Sequence, residues 1–241
     1  MTKRPTQRTR VRRLPKRGAY DRATIDAILD EGLVCHVGFV VDGQPFVIPT
    51  LHARDGDRVL IHGSAASRML CSLDQGVDAC LTVTLADELV IARSVFHSSM
   101  NYRSVMLLGK ARLIEEPRAK WDAMRALVEH LIPGRWDDCR QPNAKELKAT
   151  WILEMPIDEA SAKIRTGGPI DDDEDYALDI WAGLLPLAKG FGKPVRDPKL
   201  TRAIDAPAYL TRYARPSAAR SASSSRPRKR SPRSRAPRTP R

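Results

Sequence analysis

The chain has 241 residues, 42% hydrophobic and 29% charged, enough for one ordinary domain with a sizeable core plus appendages. Its formal net charge of +12 belongs to the ends: residues 1–17 carry eight Lys or Arg, residues 214–241 carry ten, and neither stretch has an acid, so the body between them is acidic by six charges. No apolar run approaches the ~20 residues that span a bilayer, which excludes a helical membrane protein, and none sits near the N-terminus as a secretory signal would.

Taken in chain order, residues 1–17 read as a basic disordered arm. A domain follows over 18–213, ending in a C-terminal extension. Asp21 is placed to cap a helix whose one face is Ile25, Ile28 and Leu29, and Gly32 stops it. Leu33–Val41 is an apolar strand, and His36 within it reads as a core histidine. Asp42-Gly43 is a hairpin turn signal. Gln44–Ala53 is the partner strand, with Pro49 interrupting the ladder. The turn Asp55-Gly56-Asp57 leads into a short strand, Arg58–His62. Ser64, just past Gly63, is placed to cap a helix over Ala65–Leu73.

Val77–Leu85 and Glu88–Val95 read as a hairpin about Ala86-Asp87. Tyr102–Glu115 is a long strand with a bend at Gly109. Pro117 opens a helix to Leu131, with Trp121, Met124, Leu127, Val128 and Leu131 on one side. Trp151–Met155 and Ala160–Arg165 are the closing strands, and Asp171–Asp175 is an acidic loop. The Ser-, Arg- and Pro-rich stretch 214–241 has almost nothing to bury and reads as disordered. Such a tail suits weak, sequence-independent contact with nucleic acid, or no partner at all. Seven short strands with few, peripheral helices predict a mainly β fold, a barrel.

Two segments carry chemistry. His97-Ser-Ser-Met-Asn-Tyr-Arg-Ser104 sets hydroxyls, an amide and a planar guanidinium between two apolar runs. Those groups suit a phosphate, and they equally suit a solvated turn. The second segment is Gly63-Ser64-Ala-Ala-Ser67-Arg68. There a helix start, two hydroxyls and a cation could hold an anion that Gly63 lets approach closely. No histidines have the spacing of a zinc site, and GxSxG, GxxxxGK[ST] and GxGxxG are absent, which disfavours a serine hydrolase, a P-loop enzyme and a Rossmann dehydrogenase. Cys35, Cys71, Cys80 and Cys139 show no metal spacing and read as reduced thiols in a cytoplasmic protein.

Arg58-Val-Leu-Ile-His-Gly-Ser64, Ser99-Met-Asn-Tyr-Arg-Ser-Val105 with the following Leu107-Leu-Gly-Lys-Ala111, and Trp181-Ala-Gly-Leu-Leu-Pro-Leu187 together resemble the FMN-binding split barrels. The closest branch is the pyridoxamine 5'-phosphate oxidase-like one that includes the nitroimidazole-resistance proteins. The resemblance spans roughly residues 12–190. It implies a split β-barrel, an FMN site straddling a homodimer interface, and a small-molecule substrate of nitroaromatic or quinone-like type.

It places Ser64, Ser67, Arg68, Arg103 and Ser104 on the phosphate, and Pro49, Thr50, Leu51 and the His62-Gly63 strand end along the ring. Ser99, Asn101 and Tyr102 of the polar motif lie close by, Trp181 is a wall from the second subunit, and His62 is the proton donor. The basic substrate-binding C-terminus of true pyridoxamine-phosphate oxidases is missing, so vitamin B6 oxidation is not expected. A flavin-binding protein without turnover, or a haem-binding or haem-degrading barrel with His62 or His97 as axial ligand, are the alternatives.

Overall fold

The computed structural model describes residues 5–188, 190–200 and 202–215. A short strand β1 (Gly18–Ala19) precedes α1 (Arg22–Glu31), which begins where the Thr24 amide donates to the Asp21 carboxylate, 2.8 Å, and ends at Gly32. β2 (Val34–Val41) and β3 (Gln44–Asp55) form a hairpin about Asp42 and Gly43, both at positive φ (51° and 79°), as a type I′ turn requires. β4 (Arg58–Ser64) returns beside β3 and leads to α2 (Arg68–Asp74).

β5 (Asp78–Ile91) and β6 (Ser99–Lys110) follow, then β7 (Arg112–Leu113) and α3 (Pro117–Leu131). α4 (Ala144–Ala149), β8 (Thr150–Pro156), β9 (Glu159–Arg165), β10 (Gly183–Pro186) and α5 (Ala208–Thr211) complete the chain. The sheet runs β1-β9-β6-β5-β2-β3-β4-β8-β7, with β10 added on β5, and every pairing is antiparallel. It is a mostly antiparallel, unclosed sheet with few helices: a split barrel.

The core inside the curved sheet holds Ile28, Leu29, Val37, Leu70, Leu81, Leu107 and Leu153, all fully buried. A smaller core under α3 joins Ala123 and Leu127 to Ala53, Leu60, Ile114 and Ile152. Five predicted elements differ from the structure, each for a physical reason. Ala86-Asp87 is no turn: neither residue is at positive φ, and β5 runs straight through with a bulge at Asp87. The real β5–β6 turn is 92–98, so Ser99–Ser104 lies on a strand and not in a loop.

The second helix starts at Arg68, because Ser64 is still paired with Thr150 in the β4–β8 ladder. The face that α3 buries is Ala123 and Leu127, while Trp121 packs edge-on against Trp136 outside it. His36 is no core histidine: it is exposed on the outer face of β2, because the pleat sends its neighbours Cys35 and Val37 inward instead.

The last difference concerns the ends. Residues 5–17 lie along the body: Thr9 is buried, the Val11 amide donates to the Tyr20 hydroxyl, and Arg8 pairs with Glu159. Residues 214–215 of the predicted tail are docked too, as described below, while 1–4 and 216–241 lie outside the described residues. Asp171 is buried, accepting from the Arg93 and Ser94 amides and the Arg93 side chain, so the acidic loop is tied to the 92–98 turn. Among the described residues no helix is long and apolar enough to cross a membrane.

Candidate functional site

The pleat of β3 sends Thr50 to the side of buried Cys35, its register partner, and Pro49 and Leu51 to the open outer side. That outer side is apolar, with Val34, Val40 and Val47 exposed. His62 is half-buried near the end of β4, its Nδ1 shut from solvent with no hydrogen-bond partner, and burial lowers its pKa so that the ring is neutral at pH 7. Gly63 serves packing: a Cβ there would come 3.1 Å from Leu70 Cδ1, so its absence lets α2 lie against β4.

Ser64 Oγ accepts from the Ala66 amide, 3.2 Å, and the Ser67 side chain makes no cap bond. The Arg68 guanidinium lies over the Phe46 ring, 4.3 Å from its centroid, and no carboxylate pairs with it among the described residues. Pro49, Leu51 and His62 share the outer side of β3 and β4, whereas Phe46, stacked on buried Phe39, holds Arg68 on the core-facing side of β3, so the predicted site residues are divided between the two faces.

The polar motif of β6 is divided by the same pleat. Asn101 and Arg103 share the side of buried Val105 and Leu107, and both are committed to the fold. Asn101 Nδ2 donates to Glu88 (2.6 Å) and to the Gly167 carbonyl (3.0 Å), while Arg165 donates to its Oδ1. Arg103 forks onto two carboxylates, Glu31 at 2.6 and 2.8 Å and Asp87 at 3.0 and 2.8 Å, and these contacts raise its pKa.

Four of its five N–H donors are spent there and its charge is more than matched, so the expected phosphate contact from Arg103 does not fit this geometry. Tyr102 and Ser104 face the other side, where Ser104 Oγ donates to the Lys163 carbonyl, 3.3 Å. Ser99 is exposed at the strand start. Trp181 is largely exposed, its ring about 3.0 Å from where a Gly183 Cβ would stand. His97 Nε2 is 3.2 Å from Asp172 and its ring meets Phe96 edge-on.

Sequence reasoning missed a cavity of about 580 Å³ between the start of β2, the bulged stretch of β5, Arg103 and the C-terminal segment 187–215. His36, Leu85, Leu187, Phe191 and Tyr213 line it. Its closing strap is pinned at Tyr213, whose hydroxyl donates to the Leu131 carbonyl, and at Arg215. The Arg215 guanidinium donates to the carbonyls of Asp30 (2.5 Å), Gly32 (3.0 Å) and His130, where α1 and α3 end.

Beneath it the His52 and His130 rings meet at 5.3 Å, tilted by 50°, each with Nε2 against a backbone carbonyl, Leu29 and Gly32. Burial pushes His52 down to about 4, and His130 moves the same way. No local signal in the sequence marks contacts separated by 85 to 185 positions.

The fold defines a split barrel of the pyridoxamine 5'-phosphate oxidase-like kind. Residues 21–164 match the pyridoxamine 5'-phosphate oxidase family. The chain belongs to that family. Among solved structures it is similar to the flavocytochrome Anf3 from Azotobacter vinelandii, with 45% identity over 86% of this chain and 96% of that one, and a TM-score of 0.81. It is also similar to an FAD- and haem-binding protein from Mycobacterium smegmatis (37% identity, 81% and 97% covered, TM-score 0.78). A candidate 5-nitroimidazole antibiotic resistance protein from Bacteroides thetaiotaomicron shares the fold at 20% identity, 71% and 90% covered, TM-score 0.53. No curated protein sequence matches.

Proposed function

We propose that the protein binds a flavin and a haem and works as a flavin-dependent oxidoreductase of a small molecule, nitroaromatic or quinone-like, in a homodimer. The observation that carries the flavin reading is the start of α2: the Arg68 guanidinium, free of carboxylates among the described residues, with the hydroxyls of Ser64 and Ser67 just before it, offers donors for a phosphate. Pro49 and Leu51 add an apolar strand surface for a ring on the outer side of β3. The relatives from A. vinelandii and M. smegmatis support both cofactors by what they bind.

When bound, a flavin supplies hydride and single-electron chemistry. Arg68 fixes the phosphate end. The apolar face excludes water along the ring. His62, neutral because it is buried, exchanges a hydrogen bond or a proton with the substrate at its accessible edge. The homodimer follows the family resemblance, in which Tyr102, Ser104 and Trp181, the last exposed near the β5 edge, contribute to a flavin site shared between two copies.

FMN suits a compact anion site at Ser64, Ser67 and Arg68, and the M. smegmatis relative binds FAD. Heat release followed by mass determination decides between them, and NAD(P)H oxidation with a nitroaromatic or quinone acceptor tests turnover. Arg68→Ala should remove a charge-assisted contact of ~1.5–3 kcal/mol and weaken flavin binding at least about tenfold without lowering the melting temperature. A colourless protein that takes up no flavin refutes the reading.

A further inference from the structure

We infer that the strapped cavity is the haem pocket and that His36 is the axial ligand of its iron. The inference rests on the haem half of the proposed function. It goes beyond it in naming the place and the ligand.

The cavity's volume of about 580 Å³ lies within the range of pockets for drug-sized and cofactor-sized ligands. Its walls suit a flat apolar macrocycle: Leu85 on the sheet side, and Leu187, Phe191 and Tyr213 on the strap side, with Phe191 and Tyr213 already stacked edge-to-face at 4.4 Å. A haem also carries two carboxylates; Arg103 and Arg215 at the cavity margin are already bound to Glu31 and Asp87 and to backbone carbonyls, so those carboxylates belong on the solvent side of the ring.

Of the five histidines, His36 is the one that lines this space. No hydrogen bond or ion pair engages its ring among the described residues, so either ring nitrogen is open to a ligand. The other four are committed or displaced. His52 and His130 each use Nε2 on a carbonyl under the strap. His97 faces Asp172 outside the cavity. His62 lies two strands from β2, on β4.

The test is a hemin titration of the full chain followed in the Soret region, with flavin fluorescence recorded on the same samples. The wild type should bind hemin with a histidine-ligated spectrum, and His36→Ala should bind it at least about tenfold more weakly while keeping its flavin. His36→Gly should regain the wild-type spectrum when imidazole is added, and His36→Met should bind haem with a raised reduction potential. These two variants also rule out misfolding as the cause of any loss. Hemin binding unchanged in His36→Ala, or lost in His62→Ala and not in His36→Ala, overturns the axial assignment and leaves the haem reading standing. A wild type that takes up no hemin overturns both.

Discussion

Arg103 offers the sharpest test of how this molecule is held together. Its guanidinium makes two charge-assisted hydrogen bonds to Glu31 at the end of α1 and two to Asp87 at the β5 bulge, and all three side chains are 13–17% exposed. It therefore ties a helix end, a bulge and β6 at one point. Removing one partner of a buried pair costs about 3–5 kcal/mol, because the remaining charges stay desolvated. With a sixth of each group in water, the lower end applies, about 3 kcal/mol for Arg103→Ala.

With a urea m-value of ~1–3 kcal/mol/M, the midpoint should fall by about 1–3 M at unchanged m. Adding Glu31→Gln and Asp87→Asn to Arg103→Ala should recover part of the loss, since neutral amides tolerate one another where two carboxylates do not. Flavin content of the folded protein should not change. A loss under about 1 kcal/mol, the value of an exposed pair, would refute the clamp. A tenfold loss of flavin affinity at full stability would return Arg103 to the phosphate.

Two further outcomes follow from the strap and the histidines beneath it. His52 has its pKa lowered from 6.5 to about 4, so the folded state resists its protonation. The stability it contributes is complete above about pH 6.5 and is lost as pH falls toward 4, up to about 3 kcal/mol at 1.36 kcal/mol per unit, with His130 adding in the same direction. The melting temperature should drop through that window, and His52→Gln should flatten the drop; an unaltered pH profile in the variant would show that other groups set it. A chain ending after Arg215 should melt like the full-length protein, whereas one ending after Tyr213 loses the bonds from Arg215 to three carbonyls and should melt ~3–10 °C lower. Equal melting of the two truncations would mean that the docked Arg215 contributes nothing.

What the sequence determined by itself is what short-range chemistry decides. Asp21, Gly32 and Pro117 bound their helices because capping and the missing proline N–H act within a turn. Asp42-Gly43 makes its hairpin because those two residues tolerate positive φ. The family was legible for a related reason, since runs such as Arg58–Ser64 and Ser99–Val105 are contiguous.

The tertiary structure decided whatever depends on which face of a strand is covered. A run as apolar as Val34–Val41 reads as buried on both sides, yet only Cys35, Val37 and Phe39 point into the core, and His36 on the other side faces the cavity under the C-terminal segment. The pleat of β6 turns Arg103 inward to carboxylates 72 and 16 positions away and Ser104 outward, a division that a list of adjacent polar residues cannot carry. The cavity exists only because Arg215 closes the chain onto the end of α1, and the carbonyls it needs become acceptors only when two helices end side by side.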